Sequence, residues 1–174
     1  MNSTLQDLFT YKNIIKQNTR EEYFDMQTVV KAVMAGLNWQ LMRHNVQIRT
    51  TSFPSVYANP FQILQLLQYL IGNIIKAIPE DQKAEILIQY EPTEGNCGFK
   101  ISCTPCLINV SHANQAFRQL GSSSHTLNLC DIELALCGKI VRRYGGTINI
   151  SAPTPYKRQV DLCLPIIQEK QLAS

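Results

Sequence analysis

The chain has 174 residues, of which 45% are hydrophobic and 17% are charged, and its net charge is +3. This length suits one domain with its own core, and the composition is that of a folded globular protein rather than a disordered one. The basic doublets are Arg142-Arg143 and Lys157-Arg158, with no basic stripe, so nucleic acid is not expected as a partner.

Cysteine usage and hydropathy bear on the compartment. The first residues contain no apolar core, so no signal peptide is expected. No window of about 18 uninterrupted apolar residues predicts a membrane span, so no membrane contact is expected either. Six cysteines in a chain of this size are expected to be reduced thiols of a cytoplasmic protein.

The first predicted element is a helix over residues 3–17 with an apolar stripe formed by Leu5, Leu8, Phe9 and Ile15. Two heptads are too few to decide between a coiled-coil contact and a helix folded back on its own domain. The sequence therefore leaves two alternatives open for residues 1–20, a contact with a partner or second copy and an internal contact.

The remaining pattern predicts one domain at residues 21–166 and a polar tail at 167–174. In chain order we expect a strand at 22–24, a helix at 25–37, strands at 45–49 and 55–57, a helix at 60–78, strands at 84–90 and 98–103, an irregular stretch at 104–130, a helix from 131 to 144, and strands at 147–151 and 159–164. Asp25 and Asp131 are the expected N-caps of the first and last of these helices. Asn59-Pro60 combines a capping side chain with proline at the first helical position. The order predicts an α/β two-layer sandwich, a mixed and mostly antiparallel sheet covered on one face by about three helices.

Two segments resemble a known family. The run LLQYLIGNIIK at residues 66–76 resembles the asparagine-bearing helix in the ATP-binding domain of sensor histidine kinases, and LALCGKIVRRYGG at 134–146 is similar to the helix and double glycine that close the same pocket. The resemblance extends over about residues 4–165. It implies the Bergerat-type fold that histidine kinases share with gyrase, heat-shock protein ninety and mismatch-repair ATPases.

The resemblance assigns two positions to the nucleotide. Asn73 matches the asparagine that helps to hold magnesium and the phosphates, and Lys76 matches its basic neighbour. An amide oxygen suits Mg²⁺, which prefers oxygen ligands. The alternative is an asparagine that only makes hydrogen bonds inside a packed helix, in which case both positions are vestigial.

The adenine side of the family pocket is replaced. Where the family has Asp-x-Gly-x-Gly, this chain has Cys103-Thr-Pro-Cys-Leu107. Cys103 cannot supply the charged acceptor for the adenine amino group. Pro105 fixes its own φ, and Leu107 cannot adopt glycine-only backbone conformations at low cost. The resemblance therefore implies a degenerate pocket at these positions.

The phosphate side is replaced as well. The family glycines at the start of the last helix, which let backbone N–H groups hold the phosphates, match Leu129, Asp131 and Glu133. Two carboxylates in place of glycines repel a triphosphate. With the lost hydrogen bond to the base, which is worth about 1.5–3 kcal/mol, we expect ATP to bind about a thousandfold more weakly than in an intact relative.

Other chemistry finds less support in the sequence. The three histidines, at His44, His112 and His125, are not followed by an acidic residue as a phosphoacceptor of this family would be, and surface or capping roles are expected. Cys103 and Cys106 form a C-x-x-C, so a metal or redox module stays an alternative. Sequences typical of P-loop, zincin and α/β-hydrolase sites do not occur.

The expected function is thus a non-catalytic, histidine-kinase-like domain that binds another protein in signalling or regulation, without ATP, magnesium or another metal as cofactor. The opening helix is the first candidate for the contact, including a homodimer, and the loop at 121–131 is the second. A weakly nucleotide-binding or active kinase domain and the cysteine-based module remain as alternatives.

Overall fold

The computed structural model describes residues 20–93, 95–119 and 128–168. The predicted opening helix with Leu5, Leu8, Phe9 and Ile15, most of the predicted interaction loop (residues 121–127) and the end of the tail (169–174) lie outside these residues.

Eight strands and five helices occur in the described part of the chain. The strands are β1 (Glu22–Asp25), β2 (Val46–Thr50), β3 (Ser55–Ala58), β4 (Ala84–Thr93), β5 (Asn96–Thr104), β6 (Thr147–Thr154), β7 (Lys157–Leu164) and β8 (Ile167–Gln168). The helices are α1 (Met26–Gly36), α2 (Asn38–Arg43), α3 (Pro60–Lys76), α4 (Val110–Arg118) and α5 (Leu129–Arg143).

The main sheet has the strand order β2-β4-β5-β7-β6, in which only the β2–β4 pair is parallel. Its strands alternate between a buried and a more polar face, as a sheet covered on one side must. The buried face carries side chains that are at most 3% exposed, among them Ile86, Ile88, Phe99, Ile101, Val160 and Leu162. The other face carries charged residues such as Lys100, which pairs with Glu91 at 2.8 Å. The predicted α/β class, with a mixed sheet packed against helices, is confirmed.

A second sheet of three short strands has the order β1-β3-β8, with both pairs antiparallel. It includes the backbone of residues 167–168, which the sequence analysis assigns to the polar tail. The pairing brings this part of the chain back beside β3.

Helix α3 forms the centre of the helical layer and packs against α1 and α5. Its start follows the predicted signal: the Asn59 side chain accepts a hydrogen bond from the backbone N–H of Gln62 at 3.0 Å, and Pro60 lies in the first turn. Seven of its aliphatic side chains are at most 2% exposed, namely Ile63, Leu66, Leu67, Leu70, Ile71, Ile74 and Ile75. Burial of each such side chain contributes about 1.5–3 kcal/mol relative to exposure, so α3 is held chiefly by packing.

Two expectations for residues 104–131 are wrong. The stretch is not irregular throughout, because α4 occupies Val110–Arg118 and buries Ala113, Ala116 and Phe117. Asp131 is not the N-cap of the last helix. That cap is Asn128, whose side chain accepts a hydrogen bond from the Asp131 backbone N–H at 2.9 Å. Asp131 therefore lies inside the first turn of α5, and its carboxylate is available for another contact.

Candidate functional site

Helix α3 places Asn73 and Lys76 near each other at its C-terminal end. The spacing of three residues puts both on one helix face. Asn73 is only 4% exposed, and its Nδ2 donates a hydrogen bond to the backbone oxygen of Tyr69 at 2.7 Å. Lys76 extends from the last turn, where a cation is favoured by the helix dipole.

The first turns of α5 direct Glu133 at these two residues. Its Oε2 lies 2.6 Å from Nδ2 of Asn73 and 3.3 Å from Nζ of Lys76, and its side chain is only 12% exposed. One carboxylate oxygen thus accepts from the amide and from the ammonium together. The resemblance assigns Asn73 and Lys76 to contact with a phosphate group. In this chain a carboxylate oxygen of Glu133 makes both contacts instead.

The second carboxylate of α5 is also engaged. Oδ1 of Asp131 lies 2.5 Å from Nε2 of His112, with the Asp131 side chain 11% exposed and that of His112 57% exposed. His112 belongs to the first turn of α4, where its backbone N–H donates to the Asn109 side chain at 2.9 Å. This pair was not among the predicted site residues. Asn109 was the available signal, because a capping residue there predicts a helix start at Val110, with His112 in the first turn.

Together the two pairs connect three helices across the start of α5. Acidic side chains near a helix N-terminus are favoured by the helix dipole. Each carboxylate also meets a donor from another helix, Glu133 from α3 and Asp131 from α4. Both carboxylates therefore have a hydrogen-bond partner on another helix of the domain. Leu129, the third replaced glycine position, is the half-buried first residue of the same helix.

The replaced adenine segment packs against the end of α3. The backbone N–H of Leu107 donates to the carbonyl of Ala77 at 2.9 Å, while the Leu107 side chain stays 54% exposed. Cys103 and Cys106 are buried at 1% and 0% exposure, and the peptide bond between Thr104 and Pro105 is cis. Cys103 is the residue that the resemblance assigns to the adenine-binding aspartate, and its thiol offers no carboxylate acceptor.

The pKa values of the two thiols in this segment depend on each other. A hydrogen bond from Cys103 lowers the pKa of Cys106 to about 7, and the nearby charge of Arg158 acts in the same direction. The same contact, together with burial, raises the pKa of Cys103. Within residues 20–93, 95–119 and 128–168, no group of three or more His, Cys, Asp or Glu side chains could hold a metal ion.

A cavity lies away from these residues. It measures about 490 Å³ and is lined by Arg43–Asn45 and Pro79–Gln82. It touches none of the residues that the sequence analysis assigns to the pocket. The described geometry therefore brings Asn73, Lys76 and Glu133 into one cluster and places the pair of His112 and Asp131 at the start of the same helix, α5.

Comparison with known proteins identifies the fold. No protein-family model matches the chain. Phytochrome-like protein Cph1 of Synechocystis sp. is 26% identical over 151 residues, which cover 85% of this chain and 20% of Cph1. The chain thus spans about a fifth of the length of this curated relative.

Solved structures of histidine kinases superpose on nearly the whole chain. Histidine kinase AdeS of Acinetobacter baumannii matches with a TM-score of 0.68 and 22% identity, over 92% of this chain and 75% of that chain. The catalytic domain of histidine kinase ThkA matches with a TM-score of 0.69 and 18% identity, over 86% and 99% of the two chains. Full-length ShkA, solved in complex with AMPPNP, matches with a TM-score of 0.75 and 12% identity, over 95% of this chain and 36% of its own. The fold is that of histidine kinase catalytic domains, and the predicted resemblance is confirmed.

Among residues 20–93, 95–119 and 128–168, no helix has both the length and the apolar character that crossing a bilayer requires.

Proposed function

We propose that this domain keeps the fold of a histidine kinase catalytic domain without using ATP, and that it acts by binding another protein in a signalling or regulatory assembly. The observation that carries the first part is the position of Glu133. Its carboxylate oxygen accepts from Asn73 at 2.6 Å and from Lys76 at 3.3 Å, the two residues that the resemblance assigns to magnesium and phosphate.

A nucleotide would have to displace this carboxylate. Hydrogen bonds to charged groups contribute about 1.5–3 kcal/mol each, and the contact with Lys76 counts for less because the lysine is 47% exposed. The displaced Glu133 and the neighbouring Asp131 would then face the triphosphate as like charges. These two costs add to the missing acceptor at Cys103. Together they support an affinity about a thousandfold below that of an intact relative, since about 1.4 kcal/mol corresponds to a factor of ten.

The alternative function, an active or weakly nucleotide-binding domain, is supported by the fold. ShkA, which has the same fold, was solved in complex with AMPPNP. The fold is thus compatible with a nucleotide in that protein. What separates the two functions for this chain is the set of side chains at the start of α5 and at the end of β5.

Protein binding is the role that remains for such a domain when nucleotide chemistry is absent, and the fold alone does not fix it. Large apolar side chains are exposed on its surface, among them Trp39 at 66% and Met42 at 74%, neighbours on the short helix α2. For the whole protein, we propose that it binds a regulatory partner protein in the cytoplasm. The homodimer through Leu5, Leu8, Phe9 and Ile15 stays a prediction from the sequence.

Nuclear magnetic resonance on the full chain tests the proposal at Asn73. The side-chain amide of Asn73 is assigned, and Mg·ATP is titrated to about 1 mM, the upper end of the usual substrate range. We expect its resonances to stay in place, because Nδ2 remains bonded to Glu133. A saturable shift at micromolar Mg·ATP would contradict the proposal.

A further inference from the structure

The C-x-x-C segment contains a contact that the proposed function does not use. Cys103 is the penultimate residue of β5, and Cys106 follows it in the loop that leads to α4. Each thiol is near enough to the other to shift its pKa. Both are free and buried, whereas Cys130 and Cys163 are free and half-buried.

Further contacts hold the pair in place. The sulfur of Cys103 lies 3.7 Å from the carbonyl oxygen of Pro105, and that of Cys106 lies 3.9 Å from the carbonyl oxygen of Ile74. The backbone N–H of Cys106 donates to the carbonyl of Tyr156 at 2.8 Å. Both cysteines thus lie in one short segment that these contacts hold against the end of α3 and the start of the loop, with two residues between them.

We propose that Cys103 and Cys106 are a redox-modification site, at which a peroxide converts the two thiols to an intramolecular disulfide. The Cys106 thiolate attacks one peroxide oxygen and the O–O bond breaks, which leaves a sulfenic acid and hydroxide. The Cys103 thiol then attacks the sulfenic sulfur, the S–S bond forms and water leaves. Overall the two thiols lose two hydrogen atoms, and hydrogen peroxide is reduced to two molecules of water.

Two features favour Cys106 as the attacking sulfur. The thiolate is the reactive form, and the hydrogen bond from Cys103 and the charge of Arg158 both stabilise it. The guanidinium of Arg158 is fixed nearby, since its Nε donates to the carbonyl of Ile108 at 2.8 Å. Burial slows the reaction, and local opening of the loop at Thr104–Leu107, whose two ends are exposed, admits the peroxide.

The pair lies beside the cluster of Asn73, Lys76 and Glu133. Because the Cys106 sulfur contacts the carbonyl of Ile74, the residue after Asn73, formation of the disulfide changes packing next to that cluster. The oxidation itself is independent of whether ATP binds, so failure of one proposal leaves the other standing.

Peptide mapping of the full chain tests the site. The reduced protein is treated with hydrogen peroxide, free thiols are alkylated after denaturation, and the chain is cut with trypsin. Residues 101–118 form one tryptic peptide with both proposed cysteines, whereas residues 119–139 form another that contains Cys130 and Cys137. We expect the first peptide to lose two hydrogen atoms and accept no alkyl group, while the second is alkylated twice.

Variants and pH add two independent readouts. Cys103→Ser and Cys106→Ser should each prevent the intramolecular disulfide in the first peptide, so that the remaining thiol is alkylated. Cys163→Ser should leave disulfide formation unchanged.

The rate of disulfide formation in the wild-type protein should rise with pH and level off above pH about 7, because the pKa of Cys106 is lowered to about 7. Double alkylation of the first peptide after peroxide treatment would overturn the proposal, and so would a disulfide that joins Cys130 or Cys163 instead. The wild-type map decides the question even where a variant fails to fold.

Discussion

Oε2 of Glu133 accepts hydrogen bonds from two residues that lie 60 and 57 positions earlier in the chain, Asn73 and Lys76. Asn73 is almost fully buried, and a buried amide donor without a partner costs about 1–3 kcal/mol. Its Nδ2 also donates to the Tyr69 carbonyl, so part of this requirement is met within α3. The carboxylate therefore contributes to the stability of the domain as well as to its charge.

Glu133→Ala should lower the free energy of unfolding by about 1–3 kcal/mol, because it removes a charged acceptor from a nearly buried site. Urea denaturation followed by circular dichroism measures the change. Glu85→Ala is the matched control, since it also removes a glutamate from an ion pair. Side chains of that pair are 62% and 48% exposed, so its loss should cost less than about 1 kcal/mol. Equal effects of the two substitutions would contradict the account of Glu133.

At the scale of elements, α4 and α5 cross closely at Gly138. A Cβ atom at this position would collide with the carbonyl of Phe117, the penultimate residue of α4. The same carbonyl accepts a hydrogen bond from Nη1 of Arg142 at 2.6 Å, one turn further along α5.

Gly138→Ala should destabilise the domain by about 1–3 kcal/mol, because overpacking against backbone cannot be relieved by a change of rotamer. Gly72→Ala in α3 is the matched control. Its Cβ would meet only Leu37 Cδ2, at the ordinary distance of 3.9 Å. Alanine there should be neutral or stabilise the helix by up to about 1 kcal/mol. Thermal unfolding of both variants measures the difference, and a neutral Gly138→Ala would show that the helices can separate at no cost.

The elements differ in how well the sequence predicts them. Helix α3 is predicted closely because Asn59-Pro60 is a strong start signal and the apolar face is broad. Helix α4 was missed because only Ala113, Ala116 and Phe117 are buried on it, too few apolar residues to form a periodic pattern. The start of α5 was misplaced because an aspartate inside the first turn resembles a cap.

The site is predictable only in part. The resemblance identifies Asn73, Lys76 and Glu133 as positions of the pocket, but it does not indicate that they bond to each other. That contact depends on the packing of α3 against α5, which local sequence does not specify. The pair of His112 and Asp131 escaped prediction for the same reason, since it joins two helices across 19 residues of chain.

For the whole molecule, the fold and the side chains support different functions. The fold is that of histidine kinase catalytic domains, including one solved in complex with AMPPNP. The residues that the resemblance assigns to the nucleotide include two carboxylates, each already paired within the domain. On the proposed function, a triphosphate would have to compete with Glu133 for Asn73 and Lys76.

Calorimetric titration of Mg·ATP into the full, reduced chain tests this competition most directly. The account predicts no saturable heat up to about 1 mM nucleotide, because binding is about a thousandfold weaker than in an intact relative. A cooperative unfolding transition of the same sample verifies that the protein is folded. A saturable, magnesium-dependent heat with a dissociation constant in the micromolar range would contradict the account.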